Sequence, residues 1–123
     1  MIEETIFGQV ISKANNYQIG DSPNGKHIIK TQDLRAYERS FVKQCKVYKG
    51  RLISKPFRLL VHVYESSARF DLDNALKTIL DCLQYAKVIT DDNLCIGITA
   101  TKHIDTRNPR VVFSIEETEP RLL

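Results

Sequence analysis

The chain has 123 residues, 42% of them hydrophobic and 27% charged, a balance that suits one soluble domain and excludes a disordered or fibrous polymer. No apolar run approaches the roughly 20 residues of a membrane helix, and the acidic start Glu3-Glu4 is unlike a basic secretory leader, so a cytoplasmic location is expected. The formal net charge of +3 selects no partner, and three isolated cysteines, Cys45, Cys82 and Cys95, argue against disulfides or a zinc site.

In chain order, the β-branched and aromatic content of residues 6–11 predicts a strand. Residues 12–26 are rich in Asn, Gly, Asp, Ser and Pro and are expected to form a long surface loop. Thr31 is a candidate cap for a helix to about residue 47, because Leu34, Tyr37, Phe41 and Cys45 recur at helical spacing. The other face of that helix carries Arg35, Arg39, Lys43 and Lys46. They belong to a basic stretch from Arg35 to Arg58 in which eight cations face the single acid Glu38, a local charge of +7. Such a stripe is either a solvated helix face or a track for phosphates.

Residues 57–64 read as a strand, and 66–69 as a short loop. Asp73 is expected to cap a second helix to about Ala86, whose apolar stripe is Leu76, Leu80 and Leu83. Residues 94–101 alternate with period two, and residues 110–115 form a further strand; the turn-forming 105–109 between them suggests a hairpin. The tail after Glu116 is expected to fray. No repeat or linker divides the chain, so residues 1–123 are treated as one domain.

The densest ionisable cluster is Asp71-Leu72-Asp73-Asn74-Ala75-Leu76-Lys77, followed by Asp81 and by Asp91-Asp92. A helix starting at Asp73 stacks Asp73, Lys77 and Asp81 on one face, with Asp71 on the entering loop. Each residue has an ordinary structural use as a cap, an ion-pair partner or a turn former. Taken together they supply more acids than one helix start needs. Clustered carboxylates repel one another unless a cation joins them, and hard oxygen ligands suit Mg²⁺, with Mn²⁺ as a substitute. A nearby lysine adds a point donor for phosphate or water.

The pattern Asp71-x-Asp73-Asn74-x-x-Lys77-x-x-x-Asp81, followed by Asp91-Asp92 and a strand, resembles the RusA family of Holliday-junction resolvases. The resemblance implies an α+β fold, a small mixed sheet with two main helices packed on it. It also implies a homodimer, bacterial or phage-encoded, that cuts four-way DNA junctions with Mg²⁺. Carried over, Asp71, Asp73 and Asp92 are the metal-binding catalytic acids and Lys77 the catalytic lysine. Asp91 rivals Asp92 for the third position, and Asp81 is a further ligand or supporting residue. Arg69, Lys13, Arg35, Arg39, Lys43 and Lys46 are candidate DNA contacts. Arg69 is the one basic residue among 66–70, where the family carries a basic run. The alternative reading is a catalytically silent nucleic-acid-binding module of the same fold.

Overall fold

The computed structural model describes residues 2–13, 16–23 and 25–119. The elements in chain order are β1 (Glu4–Phe7), β2 (Tyr17–Ser22), β3 (Gly25–Lys30), α1 (Gln32–Gln44), β4 (Phe57–Glu65), α2 (Leu72–Tyr85), a single 3₁₀ turn (Asp92–Leu94), β5 (Cys95–Ile104) and β6 (Arg110–Glu117). Four strands form a mixed sheet in the order β1-β6-β4-β5, and β2 and β3 form a separate two-stranded sheet. This is the α+β arrangement the sequence predicts. No helix among the described residues is long and apolar enough to cross a membrane.

Strand β4 organises the sheet. Alternation of its side chains buries Phe57, Leu59, Val61, Val63 and Glu65 on one face, where they meet Val111, Phe113 and Ile115 of β6. Helices α1 and α2 cover that face: Phe41 stacks on Phe113 at 6.0 Å between ring centroids, and Ala75, Ile79, Cys82 and Leu83 extend the core beneath α2. Each fully buried aliphatic or aromatic side chain contributes about 1.5–3 kcal/mol of transfer free energy. The opposite face, with Leu60, His62 and Tyr64, is half-exposed. All three cysteines are free.

Helix α2 is the crossover that joins β4 to β5, so these two strands run parallel, in register from Arg58 opposite Gly97 to Glu65 opposite Ile104. The expected hairpin between the last two strands is not formed. Strand β6 pairs antiparallel with β4 instead, and residues 105–109 carry the chain across the end of β4. A five-residue turn-forming segment reads the same in either topology, and only the parallel crossover through α2 decides between them.

Other expectations move for local reasons. The first strand spans Glu4–Phe7 rather than 6–11; Gly8, at φ +113°, turns the chain away and donates its N–H to the Pro109 carbonyl at 2.9 Å. The expected loop 12–26 holds β2 and the start of β3, an antiparallel hairpin with Tyr17 opposite Lys30. Its Ile19 and Ile28 are each 72% exposed, so the hairpin adds nothing to the core and leaves no burial signature in the sequence. Asn15 and Asn24 of that segment lie outside the described residues. Thr31 does cap α1, its hydroxyl accepting from the Leu34 N–H at 3.3 Å. The helix stops at Gln44, not near residue 47, because Glu4 collects the next amides. The tail expected to fray is ordered through Thr118, which is buried and donates both N–H and hydroxyl to the Pro56 carbonyl. Residues 120–123 lie outside the description.

Candidate active site

Helix α2 begins one residue earlier than its sequence suggests, at Leu72. Asp71, not Asp73, therefore stands at the N-cap position, yet its carboxylate caps nothing; the Ala75 N–H bonds the Asp71 backbone carbonyl at 3.3 Å. Asp73 follows in the first turn. Both acids are exposed, at the helix end where the backbone dipole favours negative charge. Neither is in an ion pair among the described residues. Lys77, one turn further along α2, is likewise exposed and in no ion pair among the described residues. Arg69, Phe70, Asp71, Asn74 and Ser12 line a hollow of 160 Å³ at this end of the helix.

The third expected acid stands elsewhere. Asp92 opens the 3₁₀ turn beside the C-terminal half of α2, where its N–H donates to Gln84 Oε1 at 3.2 Å. Eleven residues separate Gln84 from Asp73, about 16 Å along a helix axis. Burial, then Asp91 and Asp81, push the Asp92 carboxyl above the usual carboxylate range, with Lys13 opposing. No three Asp, Glu, His or Cys side chains converge to hold a metal ion among the described residues. One chain thus presents two acidic half-sites, Asp71 with Asp73 and Asp92 with its neighbours.

The neighbours of Asp92 have separate tasks. Asp91 accepts the Asn93 N–H at 2.9 Å and caps the turn, and the Asp92 carboxyl lies in hydrogen-bond reach of the Asp91 side chain. Asp81 shares a helix face with Lys77 by spacing, yet it pairs with Lys13 at 2.8 Å. The Lys13 side chain, 36% exposed, is thereby paired within the chain. Of the basic stripe, Arg35, Arg39 and Lys43 project from α1 and are exposed, and exposed Lys46 lies just beyond the helix end. Arg39 and Lys43, with Glu38, Val42, Lys49 and Tyr85, line an open groove of 450 Å³ between α1 and α2.

Two residues near Asp71 escape a motif search. Lys102, on β5, donates from Nζ to the carbonyls of Ala68 at 2.9 Å and Phe70 at 2.7 Å. It staples the loop that delivers Asp71. Glu65 ends β4 at the inward phase of its alternation; it is fully buried, and neither carboxylate oxygen has a hydrogen-bond partner among the described residues. Its position in the apolar rhythm 57, 59, 61, 63, 65 is the signal that could have found it. Replacing Lys102 with Met frees the loop while leaving the sheet intact. We expect Mn²⁺ affinity, read by calorimetry, to fall about three- to tenfold, around 1 kcal/mol; an unchanged affinity would remove Lys102 from any positioning role.

Burial first, and Asp71 second, raise the pKa of Glu65 above the carboxylate range, with Lys102 opposing. Folding therefore favours the protonated form. The stability contributed by this group is complete below the unfolded carboxylate pKa and is lost as pH rises through the raised folded value. In metal-free buffer Glu65→Gln is expected to be more stable than the parent at pH 7 by about 1 kcal/mol, or about 4 °C. The difference should shrink as pH is lowered through the carboxylate range; thermal melts across pH read it directly.

The donors fit a hard divalent cation. Asp71 and Asp73 are unspent carboxylates at the same helix start, and an all-oxygen set with a lysine one turn along the helix suits Mg²⁺ or Mn²⁺ rather than a thiophilic ion. A family model described as Endodeoxyribonuclease RusA matches residues 8–116. No curated protein matches the chain.

Proposed function

Because the chain belongs to the RusA family of endodeoxyribonucleases, we propose that it is a single-domain, cytoplasmic, Mg²⁺-dependent nuclease that resolves four-way DNA junctions in recombination and repair. The observation that carries this reading is the start of α2, where Asp71 stands at a capping position without capping and Asp73 and Lys77 are in no ion pair among the described residues. A helix start needs one acid at most. Two acids and a lysine with no structural partner among the described residues are left available for chemistry.

Asp71, Asp73 and Asp92 would hold the metal, with Asp92 preferred because Asp91 is occupied by its own turn. A bound Mg²⁺ supplies Lewis-acid stabilisation of the phosphodiester and lowers the pKa of the attacking water. Lys77 places a mobile cation where a phosphate oxygen or that water can accept its proton in a hydrogen bond. Arg35, Arg39, Lys43, Lys46 and Arg69 draw the polyanion onto the surface, a contribution that weakens steeply with salt.

A second copy of the chain completes the site. Asp92 sits beside Gln84, in the last turn of α2, and does not converge with Asp71 and Asp73 among the described residues, whereas a two-fold arrangement would allow Asp92 of each protomer to serve the half-site of the other. The same symmetry gives two active centres for two opposed cuts. Purified protein incubated with a synthetic four-way junction should release paired, symmetrically nicked duplexes in Mg²⁺ or Mn²⁺. No cleavage with either ion, over a range of pH, would sink the proposal. The split carboxylates of one chain also suit a silent junction-binding module, and calorimetric Mn²⁺ titration separates the two readings, since only the nuclease requires saturable binding.

A further inference from the structure

On the open face of the sheet, away from α2 and its acids, three lone-pair atoms form a triangle. Thr101 Oγ1 lies within hydrogen-bond reach of His62 Nδ1 and 3.0 Å from His103 Nε2. The two ring nitrogens are 3.4 Å apart. The residues come from the parallel pair β4 and β5, with His62 directly opposite Thr101 and His103 two positions further along.

We propose that His62 and His103 form a binding site for a borderline transition ion, Zn²⁺, Ni²⁺ or Cu²⁺, through His62 Nδ1 and His103 Nε2. Two imidazole nitrogens bound at about 2.0–2.1 Å with a tetrahedral angle lie about 3.3–3.4 Å apart. That is the separation found here. Hydrogen bonding alone can join the triangle, one ring N–H donating to Thr101 Oγ1 and the hydroxyl donating to the other ring nitrogen, so it is the separation of the two nitrogens and their access to solvent that favour a cation. A cation meets both lone pairs, and solvent completes its coordination, since Thr101 is exposed and both histidines are half-exposed.

The ring of His103 is already oriented. It stacks on Tyr64 with centroids 4.6 Å apart and planes 17° from parallel. The Arg110 guanidinium covers the Tyr64 ring at 3.7 Å and is itself paired with Asp105 at 3.0 Å. The neighbouring positive charge is therefore offset, and little ring rotation is left to freeze on binding. Lys102 lies between Thr101 and His103 in sequence, but alternation sends it to the loop 68–70 and not to this face.

Imidazole pairs follow the order Mn²⁺ < Ni²⁺ < Cu²⁺, with Zn²⁺ below Cu²⁺, whereas carboxylate sites accept Mg²⁺ and Mn²⁺. The test is calorimetric titration of the full chain with Zn²⁺ and Ni²⁺ in a large excess of Mg²⁺. One ion per chain should bind in the parent and equally in Asp73→Asn, and His103→Ala or His62→Ala should weaken binding at least tenfold. Long-range ¹⁵N–¹H spectra of the parent provide a readout independent of variant folding: Zn²⁺ should move the His62 Nδ1 and His103 Nε2 resonances. Binding should also raise the melting temperature by linkage. Absence of saturable binding, full retention of affinity in His103→Ala, or unmoved ring nitrogens would each overturn the site.

Discussion

Asp73→Asn should lower junction cleavage by at least about a thousandfold, some 4 kcal/mol of transition-state stabilisation, and leave junction affinity within about threefold. Asp73 is exposed and in no ion pair among the described residues, so its amide analogue removes the proposed metal ligand without disturbing the fold. One negative charge fewer beside the phosphates offsets the loss of metal-mediated attraction. The distance between the half-sites adds a sharper test. Asp92→Asn alone should be equally inactive, yet a refolded mixture of the two variants should recover nicking. In a mixed dimer with shared sites, one centre combines the intact Asp71 and Asp73 of one chain with the intact Asp92 of the other, and the second centre is doubly damaged. Half of a random mixture is heterodimer and half of its centres work, so about a quarter of the parental nicking rate is expected, with single nicks replacing paired ones. No recovery would place all three acids in one chain and contradict the reading of α2 as a spacer.

What the sequence made legible follows from what leaves a periodic trace. Phe57 to Glu65 alternates because one face of β4 is buried, and the α2 stripe is read for the same reason. The acids at 71, 73 and 92 stand out because they do not serve that rhythm. The β2–β3 hairpin was unreadable as strand because Ile19 and Ile28 face solvent, so no alternation between buried and exposed sides exists to be seen. Strand order was equally hidden: residues 105–109 make a turn whether β6 returns beside β5 or crosses to the far side of β4. Spacing suggested that Asp81 would serve Lys77, but Lys13 arrives from another part of the chain and takes it. Local spacing names candidates, and long-range contacts decide among them. The clustering of all the acids was the inference most exposed to this, since Asp92 is hydrogen-bonded at Gln84, in the last turn of α2, while Asp73 stands in the first.

Glu4 should prove the most stability-critical charged residue in the chain. The residue is 6% exposed, and Oε1 accepts the backbone N–H groups of Lys46 at 3.1 Å, Val47 at 2.7 Å and Tyr48 at 3.0 Å, with Cys45 Sγ at 3.4 Å. This contact stops α1, turns the chain away from it, and docks the edge strand β1 on the segment that follows. Tyr48 extends the clamp by donating to the Ile2 carbonyl at 2.6 Å and accepting the Ile115 N–H at 3.3 Å. Truncation by Glu4→Ala leaves three amides that had a charged partner, each with an orphaning cost of about 1–3 kcal/mol. Partial rescue by water brings the expected loss to about 3–5 kcal/mol, a large share of the 5–15 kcal/mol typical of a domain. Glu4→Gln keeps a neutral acceptor at the same place and should lose only about 1–2 kcal/mol. Urea titration ranks the three proteins. Cys45 supplies a second readout: burial, and then Glu4, push its thiol up to about 12, so alkylation at neutral pH is slow in the folded parent. In Glu4→Ala it should accelerate with the opening of the clamp, well below the urea concentration that unfolds the sheet. Equal alkylation rates in the parent and Glu4→Ala would show that the amides, not the acid, hold the segment in place.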